Sequence, residues 1–309
     1  MELALITAQQ VLILFIMILT GAVCYWFGII KEDGKRVLSD MLLYLITPAM
    51  LLNSYMVEFD PTTFHNLLET FLLSGILLLL GLAASYVFTW RMKSPNIVIL
   101  RFACTFSNAG YMGFPLIRAL FGEEGVLYAG AFLTMFNLLV WTCGYVSVSG
   151  KVQPKEIAVS IITCPSMIAA VLGLMIYLLR IPVSEIIKSP VSMIGDMNTP
   201  VSMIVIGLTI AGNDVRKLLK SRELGAVILL RLFVTPLIGA LFFFFLGVRG
   251  MVPMIALILE ACPCAAIATM FAIKFNHSQN LAAGSVVITT LLSIVTLPLY
   301  ALVLAGLVG

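Results

Sequence analysis

Ser107-Asn108-Ala109-Gly110-Tyr111-Met112-Gly113-Phe114-Pro115 and Glu260-Ala261-Cys262-Pro263-Cys264-Ala265-Ala266 are the two stretches that decide the fold. Each lies inside a long apolar run and carries residues that interrupt a helix. In the first, Gly110 and Gly113 release the backbone and Pro115 is suited to the first turn of a new half-helix. In the second, Pro263 lacks the amide hydrogen that a continuous helix needs. At bilayer depth an unwound backbone is tolerated only where protein buries it or a polar cavity hydrates it. Two breaks crossing at the midplane would set half-helix amino ends, with free N–H groups and a positive dipole, beside carbonyl ends. Such a junction favours an anion on one side and a cation on the other.

The surrounding chain has the composition that this reading requires. Of 309 residues, 61% are hydrophobic and 11% charged, and the mean hydropathy is +1.11, which excludes a soluble globular protein. The 18 Lys and Arg form no dense basic stripe, so no nucleic-acid partner is expected. Six cysteines, Cys24, Cys104, Cys143, Cys164, Cys262 and Cys264, are spread over apolar segments and read as small interior residues, not as a disulfide frame. The first apolar run lacks a basic leader region and is too long for a signal peptide, so it reads as a crossing.

Ten crossings are expected, in an all-α polytopic membrane protein. They are Thr7 to Ile30, Leu38 to Val57, Leu67 to Trp90, Asn96 to Phe121 and Val126 to Ser149. Then follow Glu156 to Leu179, Pro190 to Gly212, Leu224 to Gly247, Met251 to Phe275 and Leu281 to Leu307. No period-2 alternation supports a β-barrel. Positive charges set the orientation. The connections after crossings 1, 3, 5, 7 and 9 hold twelve: Lys31, Lys35, Arg36, Arg91, Lys93, Lys151, Lys155, Arg216, Lys217, Lys220, Arg222 and Lys274. The other side holds four, Arg118, Arg180, Lys188 and Arg249. The expected location is the plasma (inner) membrane, with both termini on the extracytoplasmic side and the lipid bilayer as the solvent of the exterior.

A shift of about 152 residues overlays the halves. Gly21 falls on Gly173, Thr47-Pro48 on Thr199-Pro200, and Tyr111 on Pro263; at a shift of 154, Gly130 meets Gly284. Residues 1–152 and 153–309 therefore each read as five crossings. Because five is odd, the second half enters with reversed polarity, a 5+5 inverted repeat with broken crossings 4 and 9 in matching positions.

Several residues could carry the chemistry. Glu260 precedes the second break, where an acid is costly unless it faces a cavity, an ion or a partner. It is a candidate proton carrier or Na⁺ ligand, with Ser107, Asn108 and Thr134 as further oxygens, or else a structural carboxylate satisfied by hydrogen bonds or by a cation. No other cofactor is expected. Asn108 offers both a donor and an acceptor. Gly110, Tyr111, Met112, Gly113, Phe114, Pro263 and Cys264 are placed at the substrate, and Asn53 and Asn137 on the cavity wall. Thr134 and Asn137 share a helix face, where interhelical hydrogen bonding is the competing role. Arg101 and Arg231 lie near enough to the cytoplasmic ends of crossings 4 and 8 to snorkel, with attraction of an anion as the alternative. Asp196 reads as a solvated or capping residue. His65 and His277 form no metal cluster, and Cys262-Pro263-Cys264 is not a redox motif.

The stretch Ser107 to Leu116, the following Phe121-Gly122-Glu123-Glu124-Gly125, and the terminal Ala283-Gly284-Ser285-Val286-Val287-Ile288-Thr289-Thr290-Leu291-Leu292-Ser293-Ile294-Val295-Thr296-Leu297-Pro298-Leu299 resemble the auxin efflux carrier family. That family includes plant PIN carriers and bacterial malonate or malate permeases, and the resemblance covers essentially the whole chain. It implies crossings 1, 2, 6 and 7 as a scaffold, crossings 3–5 and 8–10 as a moving transport unit, and elevator-type secondary transport of organic carboxylate anions. It also implies that Asn108 matches the asparagine at the family's helix 4 crossover. The more distantly similar bile acid sodium symporters, whose fold class, shared with NhaA, the resemblance implies here, carry an acid before their own crossover, which raises the Na⁺ option. Unlike plant PIN carriers, the chain has only Gly150 to Lys155 between crossings 5 and 6, so regulation through a long loop there is not expected. A ligand sensor built on a transporter fold is the alternative, and a homodimer is an allowed assembly. No Ser/His pair, paired Asp or zinc constellation suggests an intramembrane enzyme.

Overall fold

The computed structural model describes residues 2–213 and 221–307. The expected cytoplasmic charges Arg216, Lys217 and Lys220 lie outside the described residues. Among those described, the chain is helical with no strand, because in hydrocarbon a helix satisfies every backbone group within its own segment.

In chain order the elements are α1 (Glu2–Trp26), α2 (Glu32–Ser54), α3 (Pro61–Thr89), α4 (Ile97–Thr105), α5 (Ala109–Ser149), α6 (Pro154–Ile162), α7 (Pro165–Leu178), α8 (Glu185–Ala211), α9 (Arg222–Leu246), α10 (Met251–Ala261), α11 (Ile267–Lys274) and α12 (Gln279–Leu307). Seven of them, α1, α2, α3, α5, α8, α9 and α12, are long and apolar enough to cross a membrane; α6 and α7, bent by 62°, make an eighth if taken as one span. The count falls short of ten for a local reason. Expected crossings 4 and 5 share the run α5, and expected crossing 9 is divided between α10, 11 residues, and α11, 8 residues.

The 41 residues of α5 would make a rod about 60 Å long, roughly twice the hydrocarbon thickness. The run is not straight. Gly122 has φ +64° and ψ −156°, a region essentially restricted to glycine. A Cβ on Gly125 would lie 3.0 Å from the Ile117 side chain, eight residues earlier, whereas a straight helix separates such positions by about 12 Å. The chain therefore folds back at Gly122, and Arg118 Nε reaches Glu123 Oε1 across the turn at 3.2 Å.

Small residues set the closest packing, as expected where apolar lipid gives helices little solvophobic reason to associate. Gly21 of α1 lies against the Ile204 backbone of α8, and Gly207 of α8 against the backbone of Ile18 and Ala22. Gly173 of α7 faces the Tyr55 ring just beyond α2, and Gly195 of α8 faces the Met50 backbone. On the other side Gly239 of α9 faces Leu77 of α3 and Leu257 of α10. The core centres on α5 and α10; residues Val252 to Ala261 are all buried. Leu5, Leu12 and Ile16 of α1 and Phe244 to Leu246 of α9 are exposed and belong to the lipid-facing exterior. Outside the core, Asp60 caps α3 by accepting from the Thr63 amide at 2.8 Å, and this bond holds its carboxyl below the usual carboxylate range.

Candidate functional site at the crossed breaks

The two interruptions meet. Asn108 N donates to Pro263 O at 2.7 Å and Ala265 N donates to Phe106 O at 2.9 Å, so Ser107 and Cys264 form an isolated antiparallel bridge. Each break thus supplies the backbone partners that the other lost by leaving the helix, which is what burial of polar main chain demands. The helix resumes sooner than expected: α5 begins at Ala109 in a π turn through Gly113, with Pro115 in the first turn of the α-helical part. Asn108 O accepts from Met112 N and Gly113 N and so starts that turn.

The expected residues divide by place. Ser107, Asn108, Gly113, Pro263 and Cys264 are brought together. Gly113 admits Leu259 of α10, and a Cβ there would lie 3.5 Å from Cys262 Sγ. Cys264 N donates to Thr289 Oγ1 of α12 at 3.0 Å. Gly110 O accepts from Asn198 Nδ2 of α8 at 2.9 Å, and Met112 Sδ faces the Ser293 hydroxyl at 3.7 Å. Tyr111 is partly buried against the core. Phe114 and Pro115 line a cavity of about 290 Å³ shared with Gln10, Met50, Arg118, Ala119, Gly195, Asp196, Asn198 and Thr199. Thr134, Asn137 and Asn53 stand apart. Thr134 shares a hydrogen bond with Tyr55 Oη at 2.8 Å and donates to Gly130 O, and Asn137 Nδ2 donates to Leu133 O on its own helix. Neither they nor Asn53 lines the cavity.

Glu260 and Arg231 hold the opposite side. Arg231 does not snorkel: it is fully buried, in a π turn of α9 over Leu230–Val234. Its Nη1 donates to Cys104 O at 3.1 Å and Thr105 O at 2.8 Å; its Nη2 donates to Glu260 Oε1 at 3.1 Å and to the Glu260 carbonyl. The snorkelling expectation fails because the guanidinium finds nearer acceptors than the headgroups, at the carboxyl ends of α4 and α10. Asp196 is likewise not merely solvated, since Arg118 Nη1 donates to its Oδ1 at 2.7 Å. Gly81 of α3 clears the space above the pair; a Cβ there would lie 3.2 Å from Glu260 Oε1.

Five polar atoms here are buried without a partner: Ser107 Oγ and Asn108 Nδ2 at the breaks, and Arg231 Nε, Glu260 Oε2 and Thr235 Oγ1 at the ion pair. Asn198 and Thr289 join the site without any local sequence signal, and Arg231 lies deeper than its place near the end of crossing 8 suggests. Glu260 and Arg231 are opposite charges inside apolar runs, and such charges pair with each other; Arg101, also inside an apolar run, donates instead to Thr89 Oγ1 at 2.8 Å.

A helical bundle in which crossed discontinuous helices enclose a buried charge pair is an architecture that membrane transport proteins use. The profile of the family described as "Membrane transport protein" matches residues 6–159 and 154–301, and the chain belongs to this family, the auxin efflux carrier family. It is 24% identical over 305 residues to an uncharacterized transporter of Methanothermobacter thermautotrophicus, covering 96% of this chain and 98% of the relative. It is 25% identical over 321 residues to an uncharacterized transporter of Methanocaldococcus jannaschii, covering 97% and 99%. The protein is an integral membrane transporter, not an enzyme.

Proposed function

We propose that this protein is a secondary transporter that moves a small organic carboxylate anion by alternating access, with the anion held at the amino end of α5. The observation that carries the reading is the Asn108 side-chain amide, a buried donor without an acceptor. It stands where the first N–H groups of α5 lack helical partners, and it would complete a donor set for a carboxylate. Gly110 to Phe114 would form the near wall of the site, and Pro263 and Cys264 the far wall. The 290 Å³ cavity reaches Phe114 and Pro115 and offers an access route of small-metabolite size.

In this reading the ten crossings form two five-crossing repeats, residues 1–152 and 153–309. Crossings 1, 2, 6 and 7 stay fixed while 3–5 and 8–10 move as an elevator. The reciprocal glycine contacts support the duplication: Gly21 packs on Ile204, and its counterpart Gly173 packs on Tyr55, one turn from the counterpart of Ile204. The cavity also lies between the two sets, since Gln10, Met50 and Asn198 come from one and Phe114 and Arg118 from the other.

The test is flux of labelled mono- and dicarboxylates in proteoliposomes, with an imposed membrane potential and with Na⁺ or H⁺ gradients. Saturable flux of at least one carboxylate is expected. Asn108→Ala should lower it about tenfold or more, the loss expected for a hydrogen bond to a charged group. Absence of protein-dependent movement of every carboxylate under every gradient would overturn the reading.

A further inference from the structure

We propose that Arg231 is a tethered cation filling the position that a coupling ion would take at the crossover, so that this protein works without bound Na⁺. The inference rests on the carrier reading above and concerns its cation side. The carboxyl ends of α4 and α10 converge there, each equivalent to roughly half a negative charge, next to the Glu260 carboxylate. Cys104 O and Thr105 O accept from Nη1, and Glu260 O and Oε1 from Nη2, so four oxygens surround the end of one guanidinium, and oxygens of these kinds are what a hard cation takes as ligands. In this chain the guanidinium stands among them.

A guanidinium is never neutral in a protein, and its planar fork engages several acceptors at once. Unlike Na⁺ it cannot leave, because α9 holds it in the π turn at Leu230–Val234. The compensation at the crossover is therefore built into the fold: Glu260 against Arg231, and two helix carboxyl ends against two amino ends. Glu260 then acts as the residue that positions Arg231.

The experiment is thermal unfolding of the full-length protein in detergent, in NaCl, KCl and choline chloride at equal ionic strength. The wild type is expected to melt at the same temperature in all three. Arg231→Ala vacates the position and leaves the oxygens facing one another, so its midpoint should rise specifically in NaCl, by about 2–4 °C or more. Arg231→Ala combined with Glu260→Gln should lose that response. A Na⁺-specific rise in the wild type overturns the proposal, as does a folded Arg231→Ala protein that does not distinguish the cations. If Arg231→Ala does not fold, Arg231→Lys and the wild type decide: both indifferent to Na⁺ supports the tethered charge, and a Na⁺ response in either overturns it. Melting needs no transported substrate, so failure here and failure of carboxylate flux are separate results.

Discussion

At the scale of single residues, the Arg231–Glu260 pair shows how position changes meaning. A buried ion pair is tolerable only when desolvation is repaid by good geometry and additional hydrogen bonds; Arg231 gains three carbonyls besides the carboxylate, while its own Nε and Glu260 Oε2 stay without partners. Glu260→Gln should therefore destabilise the protein by about 3–5 kcal/mol, since it leaves the guanidinium short of its counter-charge. Replacing both residues by apolar ones of similar size should cost much less. Chemical or thermal unfolding of the two singles and the double measures this as a double-mutant cycle. Asn198 presents a smaller version of the same logic. Its amide donates to Gly110 O, and Asn198→Asp would set two acceptors face to face, with an expected loss of about 1–3 kcal/mol in the same assay.

At the scale of elements, the interruptions matter more than the helices. Gly122 turns α5 back on itself from a backbone conformation open only to glycine, so Gly122→Ala should cost about 1–3 kcal/mol, read as a lower melting temperature. Gly113 allows α5 to lie on α10, and Gly113→Val would drive its side chain into Leu259. Overpacking of this kind costs about 1–3 kcal/mol, and because Asn108 starts the same turn, carboxylate flux should fall further than stability does. The existence of both breaks was legible in the sequence, since proline and glycine act locally on the backbone. Their extent was not. The helix restarts at Ala109, several residues before Pro115, because Asn108 O is held in place to accept from Met112 N and Gly113 N. That placement comes from Pro263, 155 residues away, through a hydrogen bond that no local pattern encodes.

At the scale of the whole molecule, the charge asymmetry between connections predicts both termini outside. In a background with the six free cysteines replaced, Arg249→Cys should react with an impermeant maleimide from outside intact cells, and Lys151→Cys only after permeabilisation. The reverse pattern would invert the topology and with it the side to which the 290 Å³ cavity opens. The exterior is apolar along α1 and α9, while the buried charges Arg231 and Glu260 meet beside the crossed breaks, where intramembrane charges can pair.

The sequence by itself determined the solvent, the helical class, the two interruptions and the family, because hydropathy, proline and glycine act over one or two turns and the motif Ser107 to Leu116 stands in one contiguous stretch. Tertiary structure alone decided which charges pair, which hydroxyls are already spent, and where the breaks touch. Thr134 shared a helix face with Asn137 in the sequence, yet it is Tyr55, from beyond α2, that takes its hydroxyl. Arg231 looked free to reach the headgroups until the ends of α4 and α10 were brought around it. A partner can be assigned only when the geometry of every competing partner is known, and in a crossed fold those competitors come from opposite halves of the chain.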